Sequence, residues 1–215
     1  MYNESPLIRW LSPSSAESTR RIKVYTRTGD KGQSSLFTGE RRPKNDAHFE
    51  ALGDVDELTS LLGVAREYCN EANNGLTSKL EKIQCLLQDV NSNVATPRTK
   101  ASDVKLARTE FDIEGYLVTE LESWIDELDT QLPPLQNFIL PSGGKAASTL
   151  HVARAVCRRA ERHIVPFVQE EKVDQSVGKY INRLSDFLFT AARFAAKHEG
   201  REETIYKKVE RGKSA

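Results

Sequence analysis

The sequence predicts an all-α protein: a five-helix, up-down bundle with left-handed packing, preceded by a short N-terminal strand and loop. Three observations predict it. Five long segments carry apolar residues at alternating steps of three and four, the spacing that gives a helix one buried face. Breaker signals separate these segments at Asn73-Asn74-Gly75, Thr96-Pro97 and Leu132-Pro133-Pro134. Strand-like alternation is confined to residues 22–25 (Ile-Lys-Val-Tyr).

The chain divides into residues 1–21, expected to be disordered; a helical-bundle domain over 22–198; and a charged tail over 199–215, expected to fray. Between the strand at 22–25 and the first helix lies a polar, glycine-containing loop, Thr26 to Lys44, with Lys31, Arg41, Arg42 and Lys44 along it. It lacks the Walker pattern, yet glycines that expose N–H groups beside hydroxyls and cations suit a phosphate. The first helix spans about Asp46 to Cys69, with Ala51, Val55, Leu58, Leu62, Ala65 and Cys69 on its face and Asp54, Asp56 and Glu57 in its first half. The second runs from about Leu76 to Ala95, and residues 98–109 read as a long loop. The third spans about Thr109 to Gln131, with Ile113, Leu117, Leu121, Trp124 and Leu128 facing inward.

Pro141 ends whatever precedes it, Ser142 is the expected N-cap, and Gly143-Gly144 allow a close approach before the fourth helix, which reaches about Pro166. Ala146, Leu150, Ala153, Cys157, Ala160 and Ile164 form its apolar face. Arg154, Arg158 and Arg162 stand at i, i+4 and i+8 in a row beside it. The fifth helix spans about Gln175 to His198, and Asn182 and Asp186 share a different face from its apolar stripe. Second apolar edges, such as Leu52 with Leu61 and Phe189 with Ala192, call for more burial than one bundle core provides and favour oligomerisation.

Composition narrows the chemistry. Lys plus Arg number 31 and Asp plus Glu 31, so no global field recruits nucleic acid. No apolar run reaches the roughly 20 residues that span a bilayer. Three cysteines without C-x-x-C argue against a disulfide scaffold or a structural zinc, and read as small buried residues. No Ser or Cys stands in a nucleophile elbow, and the four histidines are scattered. Anion binding remains, shared among the arginine row, the Thr26–Lys44 loop and the Ser142–Lys145 turn; three such segments match a polyphosphate better than a single carboxylate. A helical scaffold using the arginines for salt bridges, or a nucleotide hydrolase, stays open on these residues alone.

Several motifs then point further. Tyr25-Thr26-Arg27-Thr28-Gly29-Asp30-Lys31-Gly32, Gly39 to Lys44, Asp56-Glu57-Leu58, Phe138 to Gly144, Arg154 to Arg162 and Asn182-Arg183-Leu184-Ser185-Asp186 together resemble the PduO-type ATP:cob(I)alamin adenosyltransferases over about residues 22–198. Gln131-Leu132-Pro133-Pro134 looks closest to the animal, mitochondrial branch. The resemblance implies a homotrimer with sites between subunits, in which the 5′-deoxyadenosyl group of ATP moves to cob(I)alamin with Mg2+ present. It implies that Thr26, Arg27, Thr28, Gly29, Lys31, Ser34 and Lys44 hold ATP from one subunit, and Arg158, Glu161, Arg162 and Asn182 from the next. Arg158, Phe138 and Asn182 take the catalytic positions; Phe138 and Asp186 lie on the corrin side; Asp56 pairs with Arg154 across the interface; Glu161 is the magnesium ligand. It further implies the mitochondrial matrix, with a cobalamin reductase and methylmalonyl-CoA mutase as functional partners, and no nucleic acid or membrane. Asn45, where an acidic residue is common, and the 98–109 loop depart from the family pattern.

Overall fold

A computed structural model describes Tyr25 and residues 27–209 of the protein. The disordered segment expected over 1–21, most of the strand expected at 22–25, and Thr26 lie outside the described residues. Six helices occur among the described residues: α1 (Ala47–Glu71), α2 (Thr77–Val94), α3 (Asp103–Thr109), α4 (Tyr116–Asp129), α5 (Lys145–Gln169) and α6 (Gln175–His198). Two small antiparallel ribbons accompany them. Strand β1 (Gln33–Ser35) pairs with β2 (Arg41–Pro43), and β3 (Ile139–Leu140) pairs with β4 (Thr204–Ile205).

The apolar stripes are the core. All six predicted face residues of α1 are fully buried, as are Leu80, Ile83, Leu87, Val90 and Val94 of α2 and Leu150, Ala153, Cys157, Ala160 and Ile164 of α5. Each fully buried Leu, Ile or Val contributes about 1.5–3 kcal/mol. Helix α6 buries more than one stripe, adding Ile181, Leu188, Ala192 and Ala195 to Val177, Tyr180, Leu184, Phe187 and Ala191. It packs between α5 and α4, so it needs two apolar faces.

Around the bundle the order is α2, α1, α5, α6, α4. Ion pairs Lys82–Glu120 (2.7 Å) and Lys79–Glu127 (3.1 Å) set α4 beside α2 and close the ring. The contact of His48 with Phe167 and that of Asp54 with Arg159 and His163 show α1 and α5 running antiparallel. Alternating directions around a ring need an even number of members. With five long helices one pair must run parallel, and that pair is α4 with α6: Arg183 binds Glu122, and further on Arg193 donates to the Pro133 carbonyl.

Six expectations change. Residues 98–109 hold α3, whose single pair of turns is too short to show a period; Asp103 in its first turn and Arg108 in its last suit the helix dipole. The third long helix begins at Tyr116 rather than Thr109, because Asp112 and Gly115 take positive φ (43° and 75°); Ile113 is left outside and 66% exposed. Helix α5 continues past Pro166 to Gln169, since Phe167 is buried against His48 and holds the last turn. Ser142 does not cap α5, whose N-cap is Gly144; its hydroxyl donates to the Leu140 carbonyl (2.9 Å) and accepts from Thr204 N–H (3.1 Å). The described part of the charged tail is tied back here rather than frayed, because β3 offers it an open edge at residues 204–205. Among the cysteines, Cys69 and Cys157 are buried as expected, but Cys85 is exposed on the outer face of α2.

The Gly143-Gly144 corner seats the α4–α5 connection on the end of α6. Gly143 has φ 97°, and a β-carbon there would overlap the Ala196 side chain. Gly143→Ala is therefore expected to cost at least about 2 kcal/mol, read as a lowered urea midpoint with an unchanged slope.

Candidate functional site

Three groups of predicted site residues occupy three places. The first is the β1–β2 hairpin with the turn before it. Arg27 adopts φ 57° and Gly32 φ 72°, which folds residues 27–32 back on themselves. Gly32 N–H donates to the Gly29 carbonyl (3.1 Å), Lys44 N–H to the Gly32 carbonyl (2.9 Å), and Arg41 Nη2 to the Thr28 carbonyl (2.9 Å). A β-carbon at Gly29 would come within 3.1 Å of Lys44 Nζ, so the missing side chain makes room for that ammonium. Lys31 is exposed and Ser34 half-buried.

The hairpin is fastened from three sides. Phe37 N–H donates to the Ala95 carbonyl (3.0 Å) at the end of α2, and Leu36 is buried. Lys105 of α3 donates to the carbonyls of Phe37 (3.0 Å) and Thr38 (3.1 Å), so the helix missed in the sequence helps to hold the loop. Arg42 joins Glu40, Asp46 and His48, and Lys100 joins Glu40. The hydrogen bonds from Arg42 and Lys100 hold the Glu40 carboxyl down to about 2. Asp46 caps α1 by accepting from His48 N–H (2.9 Å).

The second group lies on one face of α5 and α6. Arg158 and Arg162 are exposed there, with Arg162 Nη1 donating to the Arg158 carbonyl (3.0 Å). Asn182 Nδ2 donates to Glu161 Oε1 (2.7 Å), and Arg183 pairs with Asp186 (2.8 Å). Arg154 is half-buried; among the described residues its Nε has no hydrogen-bond partner, and its guanidinium lies 5.9 Å from the Phe189 ring centroid. Asp56 is exposed on α1 and is not joined to Arg154 within the chain. Arg159 points the other way, to Asp54 Oδ1 (2.9 Å) and Glu57, while His163 Nδ1 lies 2.6 Å from Asp54 Oδ2. Sequence reasoning missed this latch, because spacing gives each residue a face but not a partner.

The third group is at the far end of α5. Phe138 is 85% exposed; its carbonyl accepts from Tyr206 N–H (2.8 Å), and the two residues line a cavity of about 370 Å3 with Leu135, Gln136 and Asn137. Tyr206, in the charged tail, gave no signal in the sequence. The hairpin belongs to the Phe167 end of α5 and Phe138 to its Lys145 end. At 1.5 Å per residue these ends stand roughly 33 Å apart.

Among the described residues no group of three or more His, Cys, Asp and Glu is placed to hold a metal. Fold and site thus define a helical-bundle protein whose loop backbone, lysines and exposed arginines suit a large anion. The family model for cobalamin adenosyltransferase matches residues 24–195. The corrinoid adenosyltransferase MMAB of Mus musculus is 57% identical over 92% of this chain and 82% of its own length. The enzyme of Bacillus subtilis is 39% identical over 87% and 93%. A variant of the PduO-type ATP:corrinoid adenosyltransferase from Lactobacillus reuteri, solved with cobalamin and ATP, superposes with a TM-score of 0.78 at 40% identity, covering 86% of this chain and 100% of that one. The chain belongs to the cobalamin adenosyltransferase family. It is an enzyme, a corrinoid adenosyltransferase of the kind found in animals.

Two buried histidines flank these groups. His48 Nδ1 lies between a donor and an acceptor, 2.8 Å from Arg42 Nη1 and 3.0 Å from Asp46 Oδ1. Burial, then for His151 the charge of Arg154, keeps both rings below the ordinary value of 6.5. The unfolded chain takes up these protons first, so stability is full above 6.5 and falls as pH drops below it. The urea midpoint is expected to fall between about pH 7.5 and pH 5, and to fall less in a His48→Gln/His151→Gln double variant.

Proposed function

We propose that the enzyme transfers the 5′-deoxyadenosyl group of ATP to the cobalt of cob(I)alamin, giving adenosylcobalamin and triphosphate. The cobalt lone pair forms the bond to C5′, and the C5′–O bond breaks with its electrons passing to triphosphate. Cob(I)alamin is itself the nucleophile, so the protein needs no base. Its task is to meet the charge developing on the leaving group with fixed cations. Arg158 and Arg162 are solvent-facing cations on a rigid helix, and Lys44 is held beside Gly29.

One observation carries the reading of where the site lies. Hairpin and Phe138 belong to opposite ends of α5, a helix that rises roughly 33 Å between Lys145 and Phe167, farther than one nucleotide and a corrin ring face can bridge while reacting. We therefore place the site between two copies in a homotrimer. Residues 26–29, Lys31, Ser34 and Lys44 of one copy hold ATP with Arg158, Glu161, Arg162 and Asn182 of the next. Asp56, exposed on α1, pairs across the interface with Arg154, whose buried Nε lacks a partner among the described residues. Phe138 lies under the corrin, where an apolar ring displaces the lower axial ligand and eases reduction to cobalt(I); Asp186 stands on the same side. The complex of the Lactobacillus reuteri relative with cobalamin and ATP supports both substrates.

Magnesium bound with ATP would be held by Glu161, the carboxylate beside the arginines, and would offset phosphate charge. Likeness to the animal enzymes supports the mitochondrial matrix, with a cobalamin reductase supplying substrate and methylmalonyl-CoA mutase consuming product. No helix among the described residues is long and apolar enough to cross a membrane.

The deciding experiment adds ATP to cobalamin under reducing conditions and follows its absorbance and products. Adenosylcobalamin with triphosphate is expected; ADP with phosphate, or no product, would overturn the reading. Arg158→Ala is expected to lower turnover about a hundredfold or more, about 2.7–4 kcal/mol of barrier, with assembly intact by light scattering. Arg154→Trp should weaken assembly as well as activity, because Asp56 loses its partner. A fully active Arg154→Trp trimer would remove that pair from the interface.

A further inference from the structure

We infer that Arg42 is a positioning residue for the nucleotide loop, acting by clamping the turn that carries Lys44; the inference rests on the reading above that Lys44 grips the triphosphate. Among the described residues the Lys44 ammonium has no hydrogen bond or ion pair, and it lies in the space left by Gly29. What fixes it is backbone. Lys44 N–H donates to the Gly32 carbonyl (2.9 Å), and Asp46 N–H to the Pro43 carbonyl (3.0 Å). Arg42 spans this turn from two residues before Lys44 to four residues after it. Its Nη2 donates to Glu40 Oε2 (3.0 Å), and its Nη1 lies 2.8 Å from His48 Nδ1 and 3.3 Å from Asp46 Oδ1.

Each of those partners is anchored elsewhere. Glu40 accepts from Lys100 Nζ (2.8 Å) in the α2–α3 connection. Asp46 caps α1. The His48 ring is buried, its centroid 4.1 Å from that of Phe167 in α5, the helix that carries Arg158 and Arg162. One guanidinium therefore ties the loop to the starts or ends of three helices. Its side chain is only 18% exposed and its terminal nitrogens are committed to these acceptors, so it steadies the loop rather than touching the anion. A lysine cannot replace it, since one ammonium does not present donors in the planar fork these acceptors need.

A double-mutant cycle tests this. Arg42→Gln is expected to raise the KM for ATP about tenfold and leave the corrinoid KM within twofold, whereas loss of folded protein would lower kcat and leave both KM values unchanged. In a Lys44→Ala background Arg42→Gln should add less than twofold, because the clamp then has nothing left to aim. An unchanged ATP KM in Arg42→Gln, or a full tenfold effect that persists without Lys44, overturns the inference. If Lys44→Ala alone leaves the ATP KM unchanged, the assignment of Lys44 itself fails and the clamp with it. Should Arg42→Gln not fold, Glu40→Gln, which removes one anchored partner, replaces it in the same cycle with an expected threefold rise; no rise overturns the inference.

Discussion

The rotation of α5 about its own axis decides where every functional arginine points. That rotation is set by a stripe of small buried residues, Ala146, Ala153, Cys157 and Ala160, with Leu150 and Ile164 between and beyond them. Small side chains let α1 and α6 come close on either side, and removing the stripe from water leaves one way to seat the helix. The polar latch follows the same setting: Asp54 of α1, 8% exposed, takes both Arg159 and His163. With Arg159 committed to α1, Arg158 and Arg162 are turned to the open face. A buried carboxylate held by a guanidinium and an imidazole is costly to strip of either one, so the latch also resists rotation.

A second requirement is that a mobile-looking, glycine-rich loop be held still without burying it. Leu36 is the only buried apolar residue of the hairpin, too little to fix it. Polar fastening takes its place: Lys105 caps two hairpin carbonyls, and the Lys100–Glu40–Arg42–His48 chain runs from the α2–α3 connection to α5. Exposed ion pairs contribute little singly, about 0–1 kcal/mol. Here they act as a network on one short turn, and their effect is on geometry more than on stability.

The chemistry explains why familiar signatures are missing. In the reaction proposed above, a cobalt(I) nucleophile and a triphosphate leaving group ask the protein for orientation, charge and an apolar face for the corrin, and none of these needs a triad or a metal cage. Such a site can be spread over distant surfaces, because each contributes binding rather than a shared reacting group. The exposed Phe138, the exposed arginines and the Nε of Arg154, without a partner among the described residues, are the kind of surfaces that a second copy of the chain would complete.

Much was legible in order of residues alone. The stripes Ala51 to Cys69, Leu80 to Val94 and Leu150 to Ile164 named the core, because a period of 3.6 is a local property that burial then obeys. The motifs named the family, since residue types at fixed spacing survive without coordinates. What local pattern does not carry is the partner of a side chain. Ser142 reads as a cap until β4 arrives to take its hydroxyl; Arg159 reads as one more arginine of the row until Asp54 claims it; residues 98–109 read as a loop although Lys105 makes them a support. Tyr206 has no meaning until β4 pairs with β3 beside Phe138. The sequence by itself determined which face of each helix is buried and which residue types are available to an anion. Only the tertiary structure decided which arginine points outward and what holds the loop, because those depend on contacts between distant segments, such as Arg159 with Asp54, 105 residues apart, and Lys105 with Phe37, 68 apart.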